Sequence, residues 1–190
     1  MSSRTLKLLK DRSVFEEISE LKLFFVAVFS QLGNDFPPNN LSEIHPGSKG
    51  LKVSRGNELL SCPYQVLDIV RDFDMNKGFN IRILNWWGRG LFILTFFGKE
   101  NRAWTEDAPF LSWLQHHQYR LAKSESPWDY EQIIDKNQTA PIHDPGQLTS
   151  HLDIFSFTQL VKKLDYPEDR QTLQSCLRDQ IGGILKFYKR

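Results

Sequence analysis

Residues 79–98 (FNIRILNWWGRGLFILTFFG) constrain the fold more than any other stretch. Phe79, Ile81 and Ile83 alternate with Asn80 and Arg82, the two-residue period of a strand. Gly88-Arg89-Gly90 supplies a turn. The return run, 91–97, is apolar on both faces, as in a central strand covered on both sides. A chain carrying this hairpin must build a sheet and must lay other segments over it.

The surrounding patterns supply those segments. Val14, Ile18, Leu21, Phe25, Val28 and Leu32 recur at a helical period. Ser13 and Glu16 fit a capping box, and Gly33-Asn34 closes a helix over 13–32. A Pro/Asn/Gly-rich connection over 36–50 leads to the sheet. Residues 51–61 predict a hairpin turning at Gly56-Asn57. Residues 64–71 favour a strand, with helix as the competing assignment. Asp107-Ala108-Pro109 reads as a helix start, 119–123 as a strand, 127–134 as a short helix and 137–146 as a loop. Leu152, Phe155, Leu160, Val161 and Leu164 predict a helix capped by Thr149 or Ser150. Pro167-Glu168-Asp169 opens a last helix, whose face carries Leu173, Cys176, Leu177, Ile181, Ile184 and Tyr188. Gly182-Gly183 inside it marks a close packing point or a kink. The expected fold is a single α+β domain over 1–190. An antiparallel meander of about four to six strands (50–98) is flanked by an N-terminal helix (13–32) and a C-terminal helical part (148–190).

Charge narrows the function classes. The 190 residues hold 24 Lys and Arg against 23 Asp and Glu, a net of +1, which argues against a dedicated nucleic-acid binder. Residues 49–102 are locally basic, with nine Lys and Arg against five acids. The apolar run at 23–29 is too short to span a bilayer, and the acids before it are wrong for a signal peptide. Two distant cysteines, Cys62 and Cys176, read as reduced thiols of a cytoplasmic protein.

No motif names a reaction, and no metal or cofactor is expected. Adjacent His116 and His117 point in different directions on any regular element, and no H-E-x-x-H or C-x-x-C is present. Asp72, Asp74 and Asn76 partly match a calcium loop but lack its distal Glu. The sharpest cluster is Asp68, Arg71, Arg82, Trp86, Trp87 and Arg89. Alternation sets Asn80, Arg82, Leu84 and Trp86 on one sheet face and Phe79, Ile81, Ile83 and Trp87 on the other. Arginine beside tryptophan suits an anion, a stacked ring or a protein partner. Tryptophans in a hairpin are also ordinary core residues, with arginine shielding their edges.

The stretch from Cys62-Pro63-Tyr64 through Leu67-Asp68 to Arg71, with Trp86-Trp87-Gly88 after it, resembles a group of uncharacterised bacterial proteins of similar length. The resemblance covers about a quarter of the chain and implies no activity. The expected function is non-catalytic binding of a small anionic ligand or a protein through the aromatic and arginine-bearing sheet face. An enzyme using Asp68, Arg71 and Arg82 with Cys62 or His45 in a cleft beside the sheet is the alternative. Weak nucleic-acid binding through the basic middle comes third.

Overall fold

The computed structural model describes residues 3–188. Its centre is a seven-stranded sheet, every neighbouring pair antiparallel. The strands are β1 (Lys52–Leu59), β2 (Cys62–Asp72), β3 (Phe79–Trp86), β4 (Gly90–Gly98), β5 (Arg120–Ala122), β6 (Thr139–Pro141) and β7 (Phe157–Leu164). Their order across the sheet is β1-β2-β3-β4-β7-β5-β6. The helices are α1 (Ser3–Leu8), α2 (Arg12–Asp35), α3 (Pro38–Ile44), α4 (Ala108–His116), α5 (Pro145–Ile154) and α6 (Arg170–Tyr188).

The sheet has seven strands rather than four to six, because three lie outside the meander. The run 157–164 is the main difference. Leu160, Val161 and Leu164 satisfy a helical spacing, yet they form β7 against β4. A strand apolar on both faces cannot remain at a sheet edge, and β7 covers the free side of β4. The preceding helix ends at Ile154. It starts at Pro145, upstream of Thr149 and Ser150, and is capped by the Asp144 carboxylate, which accepts the Gln147 N–H at 3.0 Å.

The first hairpin also turns elsewhere. Its two-residue loop is Leu60-Ser61, both at positive φ (45° and 64°), the type I′ geometry. Gly56 lies inside β1, where a Cβ would meet the Tyr64 ring at 2.5 Å, so the position requires glycine. Residues 64–71 are strand throughout, and α2 is capped by Asp11 rather than by Ser13.

Alternation divides the core as the hairpin predicts. Phe79, Ile81, Ile83, Leu91, Ile93 and Phe97 face the helices and join Phe25, Phe29, Phe110, Leu148 and Leu177. Val66, Leu84, Trp86, Phe92, Leu94 and Val161 face the other way, where Ala122, Tyr130 and Ile133 cover them. Among the described residues, no regular helix lies on that second face. Its cover is the 123–135 segment, ending in a π-turn at Glu131–Asp135. Among the described residues, no helix is long and apolar enough to cross a membrane.

The glycine pair in α6 resolves into two different positions. Gly183 is the close packing point, where a Cβ would lie 2.3 Å from the Trp113 indole; Gly182 has nothing within 4 Å. Gly183→Ala is expected to destabilise by about 1–3 kcal/mol through overpacking. Gly182→Ala should stabilise by about 0.5–1 kcal/mol through helix propensity. Thermal unfolding of the two variants checks the opposite signs. Equal shifts would show that Trp113 does not rest on α6.

Candidate functional site

The bidentate pair of Asp68 and Arg82 organises the loop-covered face. Asp68↔Arg82 is a register pair of β2 and β3, so both side chains leave the sheet together. Arg82 Nε and Nη2 donate to the two carboxylate oxygens at 2.7 and 2.8 Å. Asn80 Nδ2 donates to the same carboxylate at 3.0 Å, and Arg82 Nη1 donates to the Tyr130 hydroxyl. The guanidinium lies 4.4 Å from the Trp128 ring centroid and 5.6 Å from that of Phe73. Burial opposes its charge, but Asp68 and Tyr130 more than offset this, and its pKa is raised. The arginine is thus already satisfied by its own chain.

The other expected residues divide among different environments. Trp86 is fully buried and donates its indole N–H to the Leu59 carbonyl at 3.0 Å. Trp87 lies on the opposite face, where its indole N–H reaches Gln65 Oε1 at 3.3 Å. Arg71 leaves the pattern at a bulge, with Val70 at φ 82° and Arg71 at φ 61°. Its guanidinium donates to the Lys49 carbonyl at 3.2 Å. Arg89 stacks on Trp86 at 4.2 Å, pairs with Asp135 at 2.8 Å and reaches Cys62 Sγ at 3.0 Å. Asp68, Arg82, Trp86 and Arg89 therefore share a face, while Trp87 and Arg71 do not join them.

The residues of the alternative catalytic reading are engaged elsewhere. His45 Nε2 meets Asp72 at 2.7 Å and its Nδ1 meets the Tyr188 hydroxyl at 2.8 Å. Asn101 Nδ2 also donates to that hydroxyl at 2.8 Å. This chain of bonds ties the end of α6 to the β2–β3 loop. Asp74 accepts the N–H groups of Asn76 and Lys77 within its own turn. Among the described residues, no group of three or more His, Cys, Asp or Glu is arranged to hold a metal ion.

Arg89 leads to a cavity of about 720 Å³, which is within the usual range for small-molecule sites. It opens on the loop-covered face where the short β5 stops pairing with β7. Its floor is apolar, with Phe92, Val161 and Ile133. Its charged rim is Arg89, Arg120, Lys162 and Lys163, against the single acid Asp135. Arg120 Nε and Nη2 donate to the Thr139 hydroxyl and carbonyl at 2.7 and 3.2 Å, which fixes the guanidinium plane. Lys162 Nζ donates to the His117 carbonyl, and burial holds its pKa below the ordinary lysine value. Lys163 Nζ lies 5.9 Å from the Phe92 ring. Among the described residues, no carboxylate is within ion-pair distance of Arg120, Lys162 or Lys163.

No family model, no curated protein and no solved structure matches this chain. What the site does must therefore be read from its own chemistry. Three of its cations escape a reading of the sequence by segment. Lys162 and Lys163 fall in a run with helical spacing, and Arg120 sits in a three-residue strand. Only the β7–β5 pairing, Arg120↔Val161, brings them together.

Proposed function

We propose that this protein binds a small organic anion in the cationic cavity beside β7, without catalysing a reaction on it. One observation carries this reading. Among the described residues, Arg120 and Lys163, two cations without a carboxylate partner, share a sheet face over the apolar floor of a cavity of about 720 Å³, with Lys162 on its other side. Desolvating like charges costs free energy that an anion recovers. The ligand is amphiphilic. A carboxylate or phosphate monoester meets Arg120 and Lys163, whose donors suit a forked and a point contact respectively. An apolar body lies on Phe92, Val161 and Ile133. The expected arginine–tryptophan face contributes Arg89 to this site, held in place by Asp135 and the Trp86 ring.

Thermal unfolding with carboxylates, phosphate monoesters and their neutral amides or esters tests the reading. At about a hundredfold excess over Kd, an anionic ligand should stabilise by about 2.7 kcal/mol. That corresponds to a Tm rise of about 5–10 °C for a chain of this size. Arg120→Gln with Lys163→Gln should weaken binding by about tenfold or more, because each removes a charge-assisted contact. Shifts of equal size with neutral analogues, or an unchanged affinity in the double variant, would rule the cavity out as an anion site.

A further inference from the structure

We infer that the N-terminal helical arm, α1 with the first half of α2, pairs antiparallel with the same arm of a second copy of this chain. The inference is independent of the cavity. It starts from the stripe Val14, Ile18, Leu21, Phe25, Val28 and Leu32, which occupies one face of α2. Phe25, Val28 and Leu32 are buried on the sheet. The same stripe runs on past the sheet through Leu21, 50% exposed, and the partly buried Ile18 and Val14. Six of the twelve exposed large apolar residues among those described lie between Leu6 and Leu23. Of the exposed apolar residues of α2, Leu21 lies on the stripe, and Phe15 and Leu23 lie about 100° and about 180° round the helix from it. The concentration is along the segment, α1 and the start of α2 together.

Charge chooses the occupant and its direction. Lys7, Lys10 and Arg12 precede Phe15, with Asp11 among them, and Glu16, Glu17 and Glu20 follow it, ahead of Lys22; Arg12 and Glu16 also pair within the helix at 2.7 Å. Two arms crossing antiparallel near Val14 and Phe15 set the basic segment of each against the acidic segment of the other. A parallel pair sets like against like. The pattern is self-complementary under a two-fold axis, the usual symmetry of a homodimer. The arm's acids also make an anionic lipid surface a poor partner. In the antiparallel register, Leu8 of one copy and Leu21 of the other lie on the same side of the crossing, at matching chain distance. Beside Leu21 a groove of about 420 Å³, formed with Phe24, Trp87, Tyr166 and Pro167, receives the partner's leucines. Trp87, which leaves the anion site, thereby finds its place at the edge of the interface.

Sedimentation velocity of the full chain over a concentration series tests this directly. Wild type is expected to reach twice the chain mass, and Ile18→Glu with Leu21→Glu to remain monomeric. Two charge-reversed chains keep the test sharp if that variant misfolds. Lys7→Glu/Lys10→Glu/Arg12→Glu and Glu16→Lys/Glu17→Lys/Glu20→Lys should each self-associate about tenfold or more weakly than wild type. Mixed in equal amounts, they should form a heterodimer of wild-type affinity. A wild-type monomer at every concentration overturns the inference. So does a dimer indifferent to both reversals, or a mixture that fails to pair.

Discussion

Asp68→Ala is expected to lower the unfolding free energy by about 3–5 kcal/mol, the usual cost of removing one partner from a buried ion pair. Asp68 is 5% exposed, and the Arg82 guanidinium is roofed by Trp128 and Tyr130. The alanine leaves a cation with no anion among its contacts and strips the Asn80 Nδ2 of its acceptor. Arg82 cannot shed its proton to relieve this, since its pKa lies far above neutrality. The comparison that isolates the charge is the double replacement Asp68→Leu/Arg82→Met. An apolar pair of similar volume should recover most of the loss. Urea unfolding with an unchanged m-value gives both numbers. A cost under about 1 kcal/mol for Asp68→Ala would mean that the pair is hydrated like a surface ion pair.

The same pair shows why the sequence was partly legible. Asp68 and Arg82 stand fourteen positions apart, and strand alternation alone sets Arg82 on the face away from Ile81 and Ile83. That much needs only the period of β3. The identity of its partner needs the β2–β3 register, which follows from the hairpin but is shifted by the bulge at Val70 and Arg71. The bulge is also what removes Arg71 from the face. No propensity announces it, since Val70 is among the residues least suited to φ 82°. The conformation is held by tertiary bonds, from the Arg71 N–H to Asn80 Oδ1 at 3.0 Å and from the Lys49 N–H to the Val70 carbonyl at 2.7 Å.

The helices α2 and α6, and the hairpin of β3 and β4, were legible because each is long and strongly periodic. β7 was not, because residues 157–164 satisfy two periods at once, and only the open edge of β4 decides between them. The anion cavity depends on that decision. With 157–164 read as a helix, Lys162 and Lys163 are solvated charges on a helix surface. With the same residues in β7, Lys163 and Val161 share the loop-covered face with Arg120, and a binding site exists. The signal that was present is the doubled lysine between Val161 and Leu164 of a strand run, a pattern that costs stability in a central strand unless something faces it.

Trp86→Ala should cost about 3–5 kcal/mol, on a par with Asp68→Ala but through packing rather than charge. Trp86 has no exposed surface. Its removal opens a cavity bounded by Leu84, Phe92 and Tyr130 in the smaller of the two cores, where no helix can shift to refill it. It also leaves the Leu59 carbonyl without its indole donor and takes the aromatic platform from Arg89. The second effect links stability to the site. Arg89 holds its place at the cavity rim through Trp86 and Asp135, so Trp86→Phe should retain the stacking and most of the stability while losing the hydrogen bond to Leu59, about 1–3 kcal/mol. Denaturant unfolding separates the two variants. Acrylamide quenching adds an independent check, because Trp128, 45% exposed, should account for the accessible emission and Trp86 for protected emission. A small loss for Trp86→Ala, together with a quenched Trp86, would place the indole in solvent. It would also detach Arg89 from the support that its role at the anion site requires.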